Sequence, residues 1–286
     1  ISRGAEQLHL SQPAVSKQIK ELEETLGVRL LERLPRGTRL TDGGRMLAQY
    51  AQRMMTLEEE AERAVEEFRG LKRGRLAVGA SQTIGAYLMP EVLGEFHRRH
   101  PAVELQLEVA NTEKIQRQLM EGLIEIAFTE GAMEGEHLDG EVFDRDELVV
   151  IAPRGHALLK QKQVTAREVC REPFILREEG SGTREVVVRA LEKRGLTIDP
   201  VLSLASPEAI KRAVIAGVGI AIISRLAIGS ELQIGSLAVV PVKDLTILRP
   251  LHLQKLRGTA QSPAAAAFLK ILASEMQLRA KPSNRR

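Results

Sequence analysis

The chain has 286 residues, a net charge of +3 and a single cysteine, Cys170. This length predicts two or three domains, and 43% hydrophobic residues with only 3% aromatic residues predict globular domains with aliphatic cores. One cysteine excludes an intrachain disulfide and fits a reducing cytoplasm, and no apolar run is long enough to span a membrane. The mild positive charge is compatible with a nucleic-acid partner.

The first predicted elements are two short helices around a tight turn between Ala5 and Leu22, with apolar residues on one face across the turn. Ser11 can cap the second helix, and Pro13 falls in its first turn, where a missing backbone N–H has no intrahelical partner. The outward side chains of that helix would enter a DNA groove, because glutamine can pair with adenine while serine and lysine take base edges or phosphates. These side chains are Gln12, Ser16, Lys17 and Lys20. A helical hairpin in a bundle is the alternative.

The segment from Val28 to Arg45 predicts two short strands joined by a Pro-Arg-Gly-Thr turn, which is the shape of a wing. Five arginines, among them Arg36 in the turn, oppose two acidic residues and leave this segment with a local charge of +3. Such a patch would bind phosphates, and its binding would weaken steeply with salt. A solvated surface strip is the alternative for these arginines.

Together these residues resemble the winged helix-turn-helix of LysR-type transcriptional regulators. The matching motifs are Leu10–Ile19, Leu22-Glu23, Leu26-Gly27, Leu30–Arg33 and Leu40–Gly44. The resemblance implies double-stranded promoter DNA as the partner, with RNA polymerase as a further one. It assigns DNA-reading positions to Ser11, Gln12, Pro13, Ser16 and Lys17, and a wing position to Arg36. That family begins with a further helix, whereas this chain opens at Ile1, so we expect a cropped N-terminus and weakened DNA binding.

A long helix is predicted next, over residues 46–70. Its apolar residues alternate steps of three and four, as in a heptad seam, and a single exposed helix with such a seam should pair with a partner helix. The seam residues are Leu47, Tyr50, Met54, Leu57, Ala61, Ala64 and Phe68. The core face of an intramolecular helix is the alternative. The resemblance favours pairing, because LysR-type regulators have a long dimerising linker helix, and it implies a homodimer, assembling into a tetramer, on a quasi-palindromic site.

From residue 75 the chain alternates strands and helices, which predicts a mostly parallel α/β sheet. The predicted strands are 75–79, 103–109, 125–128, 148–152, 174–176, 220–223 and 250–253, and the predicted helices run through Leu88 to Phe96 and over 112–122, 183–193, 207–216 and 264–278. We therefore expect a winged helix-turn-helix DNA-binding domain, here called the reader, at 1–45, the linker helix at 46–70 and a two-lobed domain at 75–286. Lobe I takes about 75–151 and 250–279, and lobe II takes about 152–249.

Polar residues follow three of these strands, at Ser81-Gln82-Thr83, at Thr129-Glu130 and at Gly180–Thr183. In open α/β sheets, ligands sit beyond the carboxyl ends of strands, where helix N-termini offer free N–H groups. Hydroxyls and N–H groups of this kind suit a small anionic or polar ligand. Helix capping alone explains any one segment equally well, so the prediction depends on all three segments meeting in one cleft.

This layout is similar to the effector domain of LysR-type regulators, which resembles two-lobed periplasmic binding proteins. The resemblance implies the effector-binding residues Ser81, Gln82, Thr83, Thr129, Ser181, Gly182 and Thr183, with Ser206 as a further candidate. The sequence around Ser81 and Ser181 is similar to that of a subgroup that controls carbon-fixation or sulfur-assimilation genes. We expect a small inorganic anion such as sulfite, or a carboxylate, as the effector, with no cofactor.

The sequence gives little support for an enzymatic function. The six histidines show no metal-ligand spacing, and Gly180-Ser181-Gly182 lacks the flanking pattern of a nucleophile elbow. We therefore expect no catalytic residues and no metal site. A solute-binding transport protein is the alternative function, since it shares the cleft, but it would not need the reader and linker of residues 1–70.

Overall fold

The structure, a computed structural model, describes residues 5, 10–34, 37–67, 74–131 and 137–280. The predicted wing residue Arg36 and the C-terminal part of the predicted linker helix, beyond Glu67, lie outside the described residues. The chain divides into two compact units, residues 1–61 and residues 62–286.

In the first unit, helix α1 (Gln12–Leu26) begins where the sequence predicts, because Ser11 Oγ accepts a hydrogen bond from Ala14 N at 3.3 Å. It ends at Gly27, whose φ of 67° is a left-handed conformation that glycine adopts without strain. Strands β1 (Leu31–Leu34) and β2 (Gly37–Leu40) then pair antiparallel, which confirms the predicted wing.

Helix α2 runs over Asp42–Glu67, a length of 26 residues. Three residues of the predicted seam, Tyr50, Met54 and Leu57, are exposed, and Met54 is 72% exposed. An exposed apolar seam of this kind is a surface that a partner helix covers.

The second unit is built on one nine-stranded sheet, with strand order β4-β3-β5-β11-β6-β9-β7-β8 and with β10 paired to β6. Its strands are β3 (Gly74–Ser81), β4 (Val103–Ala110), β5 (Ile126–Glu130), β6 (Leu138–Pro153), β7 (Phe174–Arg177), β8 (Pro200–Leu204), β9 (Ile220–Ser224), β10 (Leu237–Val239) and β11 (Ile247–Leu256). Its α-helices are α3 (Gln82–Tyr87), α4 (Met89–Arg99), α5 (Thr112–Met120), α6 (Ala166–Val169), α7 (Gly182–Glu192), α8 (Pro207–Ile215), α9 (Gly229–Ile234) and α10 (Pro263–Ala280).

Two long strands, β6 and β11, join the lobes, and they pair antiparallel with each other from Leu138↔Leu256 to Leu148↔Ile247. The expectation of a mostly parallel sheet is therefore wrong. Pairs β3–β4 and β3–β5 in lobe I and β7–β8 and β7–β9 in lobe II are parallel, but every pairing of β6 and β11 is antiparallel. The reason is that both connections between the lobes are themselves strands of the sheet.

The helix predicted through Leu88 to Phe96 is in fact two helices, α3 and α4, which meet at Leu88. Pro90 lies in the first turn of α4. Proline has no backbone N–H to donate, so it cannot continue the hydrogen bonds of α3 but fits the first turn of a new helix.

Each lobe has its own apolar core. Phe96, Phe128 and Phe268 pack edge to face in lobe I, and Phe174 lies in the core of lobe II. Cys170 packs at the edge of that second core, and burial raises the pKa of its thiol. No helix within the described ranges is both long enough and apolar enough to cross a membrane.

Candidate functional site

The side chains predicted to read DNA lie on the N-terminal half of α1. Ser11, Gln12 and Pro13 are exposed and Ser16 is half-buried. The side chains of Lys17 and Lys20 are 78% and 76% exposed, and their ammonium groups lie 3.7 Å and 3.5 Å from Glu21 and Glu24 on the next turn. Exposed pairs of this kind are weak, so both lysines can turn to a phosphate.

In the described part of the wing, two of the arginines predicted to bind phosphate pair with the two acids of the segment. Arg39 pairs with Glu32 on the facing strand at 2.8 Å, and Arg45 pairs with Asp42. Both pairs are exposed and therefore weak, and they leave the local charge of +3 unchanged.

In the second unit, two predicted residues from different lobes meet on one carboxylate. Ser81, at the end of β3, donates a hydrogen bond to Glu130 Oε2. Thr183, in the first turn of α7, donates to Glu130 Oε1 at 3.1 Å. All three side chains are almost fully buried. The sequence placed Glu130 beside the predicted residue Thr129 but gave it no role.

This carboxylate belongs to a larger buried network that the sequence analysis missed. Arg249 Nη1 donates to Thr183 Oγ1 at 2.8 Å and lies 3.2 Å from Glu130 Oε1. Its Nε donates to Asp146 Oδ2 at 2.8 Å, and Asp146 also accepts from Ser224 Oγ at 2.9 Å. The network thus runs from lobe I, across the two joining strands, into lobe II.

The electrostatics of the network are set by burial. Arg249 is fully buried between two carboxylates, so the group carries a net negative charge when both are ionised. Burial raises the pKa of Asp146, and the charge and hydrogen bonds of Arg249 and the hydroxyl of Ser224 offset only part of that rise. The one visible signal in the sequence is a lone arginine between apolar residues of a strand.

A second contact joins the lobes beside the first. Asn111 Nδ2 donates to Glu179 O at 3.2 Å, and Gly182 N donates to Thr112 Oγ1 at 3.3 Å. A Cβ at Gly182 would lie 1.9 Å from Glu130 O, so only glycine allows α7 to begin this close to β5.

A cavity of about 350 Å³ lies at this second contact. Thr112, Gln116, Gly182 and the predicted effector residue Ser181 are part of its lining, together with four charged side chains. These charged side chains are Glu113, Glu179, Arg184 and Glu185. Two of the three carboxylates, those of Glu113 and Glu185, are paired with Arg117 and Arg189 outside the lining.

A third contact between the lobes involves Tyr87 of α3. Lys211 Nζ, on α8, lies 5.5 Å from the centre of the Tyr87 ring and 2.8 Å from carboxylate oxygens of both Glu208 and Glu231. Burial alone would lower the pKa of Lys211, but its hydrogen bonds to the two glutamates raise it above the usual value. Lys211 therefore stays charged where it faces the ring.

The remaining predicted effector residues are not part of this network. Thr129 points to the face of β5 opposite Glu130, as alternation along a strand requires, and among the described residues its buried hydroxyl has no hydrogen-bond partner. Ser206 caps α8 by accepting from Ala209 N at 3.1 Å. Ser181 is buried at the start of α7 without a side-chain capping bond.

Gln82 and Thr83 occupy the first turn of α3, directly after Ser81. Thr83 is buried and Gln82 is half-buried. Across the described ranges, no group of histidine, cysteine, aspartate or glutamate residues is arranged to hold a metal ion.

One unit thus presents exposed polar and basic side chains on a helix that can enter a DNA groove. The other unit joins two α/β lobes through a polar boundary. This combination defines a DNA-binding regulator with a ligand-binding domain.

Comparisons with known proteins agree with this class. Residues 1–45 match the family described as bacterial regulatory helix-turn-helix protein, lysR family, and residues 69–277 match the LysR substrate binding domain. The chain is 34% identical over 274 residues to the RuBisCO operon transcriptional regulator of Allochromatium vinosum, covering 96% of this chain and 90% of that one.

Solved structures show the same fold. The CcmR regulatory domain of Synechocystis PCC6803, in complex with 2-PG, aligns with a TM-score of 0.67 at 30% identity, covering 72% of this chain and 98% of that one. Full-length OxyR C199D from Pseudomonas aeruginosa aligns with a TM-score of 0.70 at 24% identity, covering 97% of this chain and 89% of that one.

The chain belongs to the LysR family of bacterial regulatory proteins. It is a ligand-responsive transcriptional regulator with an N-terminal winged helix-turn-helix and a two-lobed effector domain, which confirms the predicted class. The alternative of a solute-binding transport protein finds no support, because the match over residues 1–45 is to a DNA-binding reader.

Proposed function

We propose that this regulator senses a small metabolite with a phosphate or carboxylate group at the boundary between its lobes, and controls carbon-fixation genes in response. The observation that carries the proposal is the meeting of Ser81, Thr183 and Arg249 around one carboxylate. We call these three side chains the anion seat. Two hydroxyl donors and a guanidinium are the groups that bind carboxylate and phosphate oxygens most strongly.

The comparisons support this choice of ligand and genes. A relative that is 30% identical to this chain has been solved with bound 2-PG, and the relative from Allochromatium vinosum is named for the RuBisCO operon. The start of α7 adds backbone N–H groups and a partial positive charge beside the seat. Of the predicted residues, Ser81, Gln82, Thr83, Ser181, Gly182 and Thr183 lie at or next to this position, whereas Thr129 and Ser206 stay candidates that lie apart from it.

The mechanism follows from the position of the seat. Ser81 belongs to lobe I and Thr183 to lobe II, so a ligand held by both changes the free energy of one lobe arrangement relative to another. The strength of regulation is then limited by the difference between the ligand's affinities for the two arrangements. No step of this mechanism is catalytic, and we propose no enzymatic role.

For the reader we propose that the start of α1 enters the major groove and that Arg36, in the wing, binds phosphate. The proposed DNA-reading residues of α1 are Ser11, Gln12, Pro13, Ser16, Lys17 and Lys20. The exposed seam of α2 supports pairing of two chains along this helix. A homodimer would address two half-sites about 34 Å apart, or a multiple of that distance. In this proposal the reader takes residues 1–45, the linker helix 46–70 and the effector domain 75–286.

The test is a titration of fluorescent promoter DNA with the full chain, with and without phosphoglycolate. We expect the ligand to change the DNA affinity or the DNA bend of the wild-type protein. In the double variant Ser81→Ala/Thr83→Ala we expect DNA binding without ligand to be unchanged and the response to be lost. Lys193→Ala, an exposed change in the same unit, is the control. A full response in the double variant would place the effector site elsewhere.

A further inference from the structure

The anion seat is occupied by a side chain of the protein itself. Ser81 and Thr183 each donate their hydroxyl proton to the carboxylate of Glu130. A hydroxyl has one proton to donate. While Glu130 holds both, neither hydroxyl can donate to a ligand, and a ligand anion at this position would face a buried negative charge.

We propose that Glu130 is an internal counterpart of the effector anion, and that the effector binds by exchanging with the Glu130 carboxylate for Ser81, Thr183 and Arg249. This inference rests on the proposed function, because it names how the same seat selects and admits its ligand. Glu130 is thereby a specificity-determining residue that sets the affinity threshold for anions.

The main chain and the side chain of Glu130 are held by different groups. Thr112 Oγ1 donates to Glu130 O at 3.1 Å, and Gly182 packs against the same carbonyl group. Within the described part of the chain, the side chain is held by Ser81, Thr183 and Arg249, which also suit an external anion. Exchange therefore requires release of these three contacts, while the contacts of the main-chain carbonyl can stay.

Exchange also couples ligand binding to the contact between the lobes. The bond between Thr183 and Glu130 joins lobe II to lobe I, so releasing it removes one direct link between them. Arg249 stays anchored by Asp146 at 2.8 Å and is free to pair its other end with either Glu130 or the incoming anion.

The first test is isothermal titration calorimetry of the full chain with phosphoglycolate and with sulfate. Glu130→Gln keeps the shape and a hydrogen-bond acceptor but removes the charge, so we expect a dissociation constant at least tenfold lower than for the wild type. Glu113→Gln is the matched control, because it removes the same charge from an exposed position in the lining of the cavity. We expect it to change the dissociation constant less than threefold.

The outcomes separate this inference from the proposed function. Wild-type binding with no gain in Glu130→Gln, or an equal gain in Glu113→Gln, overturns the exchange and leaves anion sensing intact. If the Glu130→Gln variant binds these anions and the wild type does not, the exchange is supported, but these anions are not effectors of the natural protein. An absence of binding in both proteins overturns the exchange and the anion sensor together.

A second measurement does not depend on any variant folding. In a crystal structure of the wild-type chain with phosphoglycolate, we expect ligand oxygens within hydrogen-bond distance of Ser81 and Thr183 and the Glu130 carboxylate turned away from both. A ligand bound at the lobe boundary with both Glu130 hydrogen bonds retained would overturn the exchange.

Discussion

The reader unit and the effector unit use polar side chains in opposite ways. On α1, Gln12, Lys17 and Lys20 are exposed and make at most weak contacts with their own chain. At the lobe boundary, Glu130 and Arg249 are buried and contact each other and hydroxyls of both lobes. The reader is thus poised for an external partner, whereas the effector site is occupied by internal partners that a ligand has to replace.

This difference predicts where stability and function separate. Removing an exposed side chain such as Gln12 should reduce DNA binding and leave folding almost unchanged, because it makes no hydrogen bond to the described part of the chain. Ser11 is the exception, since it also caps α1. Removing a member of the buried network should reduce stability, because the groups left behind are charged and inaccessible to water.

Arg249→Ala should lower the free energy of unfolding by about 3–5 kcal/mol, because it leaves Glu130 and Asp146 buried without their cation. Urea denaturation of the full chain measures this, and circular dichroism is the suitable signal since the chain has no tryptophan. Arg257→Ala removes an exposed partner of Asp139 and should cost less than about 1 kcal/mol. Equal costs for the two variants would mean that the buried network does not stabilise the lobe boundary.

Gln12→Ala should weaken binding to the target promoter by about 1–3 kcal/mol while changing the free energy of unfolding by less than about 0.5 kcal/mol. Fluorescence anisotropy gives the first quantity and urea denaturation the second. Gln161→Ala, an exposed glutamine of the effector unit, is the control and should change neither. Unchanged DNA affinity in Gln12→Ala would remove α1 as the recognition helix.

The variant Ser206→Ala distinguishes a helix-capping role of Ser206 from a role in effector binding. Loss of the hydrogen bond from Ala209 N to the serine hydroxyl should cost about 1 kcal/mol of stability, as for other N-cap serines. The effect of phosphoglycolate on promoter binding should stay as in the wild type. A lost response at unchanged stability would show that Ser206 contacts the ligand instead.

Asp146 makes the buried network sensitive to pH. Its pKa is raised above the ordinary 3.8 by burial, so the folded state holds this proton more tightly than the unfolded state does. The stability of the wild type, relative to that of Asp146→Asn, should therefore fall as the pH rises from the ordinary pKa of 3.8 through the raised pKa of the folded state. Urea denaturation of both proteins across that range measures the difference. A wild type that gains relative stability with pH would mean that pairing with Arg249 outweighs burial.

The two sites also differ in how far the sequence reveals them. The reader depends on neighbours in sequence: the cap at Ser11, the position of Pro13 and the strand-turn-strand pattern are all local, and each could be predicted. In the effector unit the individual strands and helices were mostly predictable, because apolar alternation marks them. The short strand β8 was missed, since most of its residues are exposed and show no such alternation.

The buried network could not be predicted for a different reason. Asp146 and Arg249 are 103 positions apart, and they meet only because β6 and β11 pair in one register. Nothing local to either residue fixes that register. The sequence thus predicted hydroxyls gathering at strand ends, and it led to Ser81 and Thr183, but it gave no means of seeing the charges between them.

The melting temperature of the full chain with and without phosphoglycolate shows whether this anion binds the folded protein. At about 100 times its dissociation constant a ligand adds about 2.7 kcal/mol, which should raise the midpoint by roughly 5–10 °C. We expect this rise in the wild type and no rise in Ser81→Ala/Thr83→Ala. No rise in the wild type with phosphoglycolate, sulfate, sulfite or thiosulfate, or an equal rise in the double variant, would contradict an anion site between the lobes.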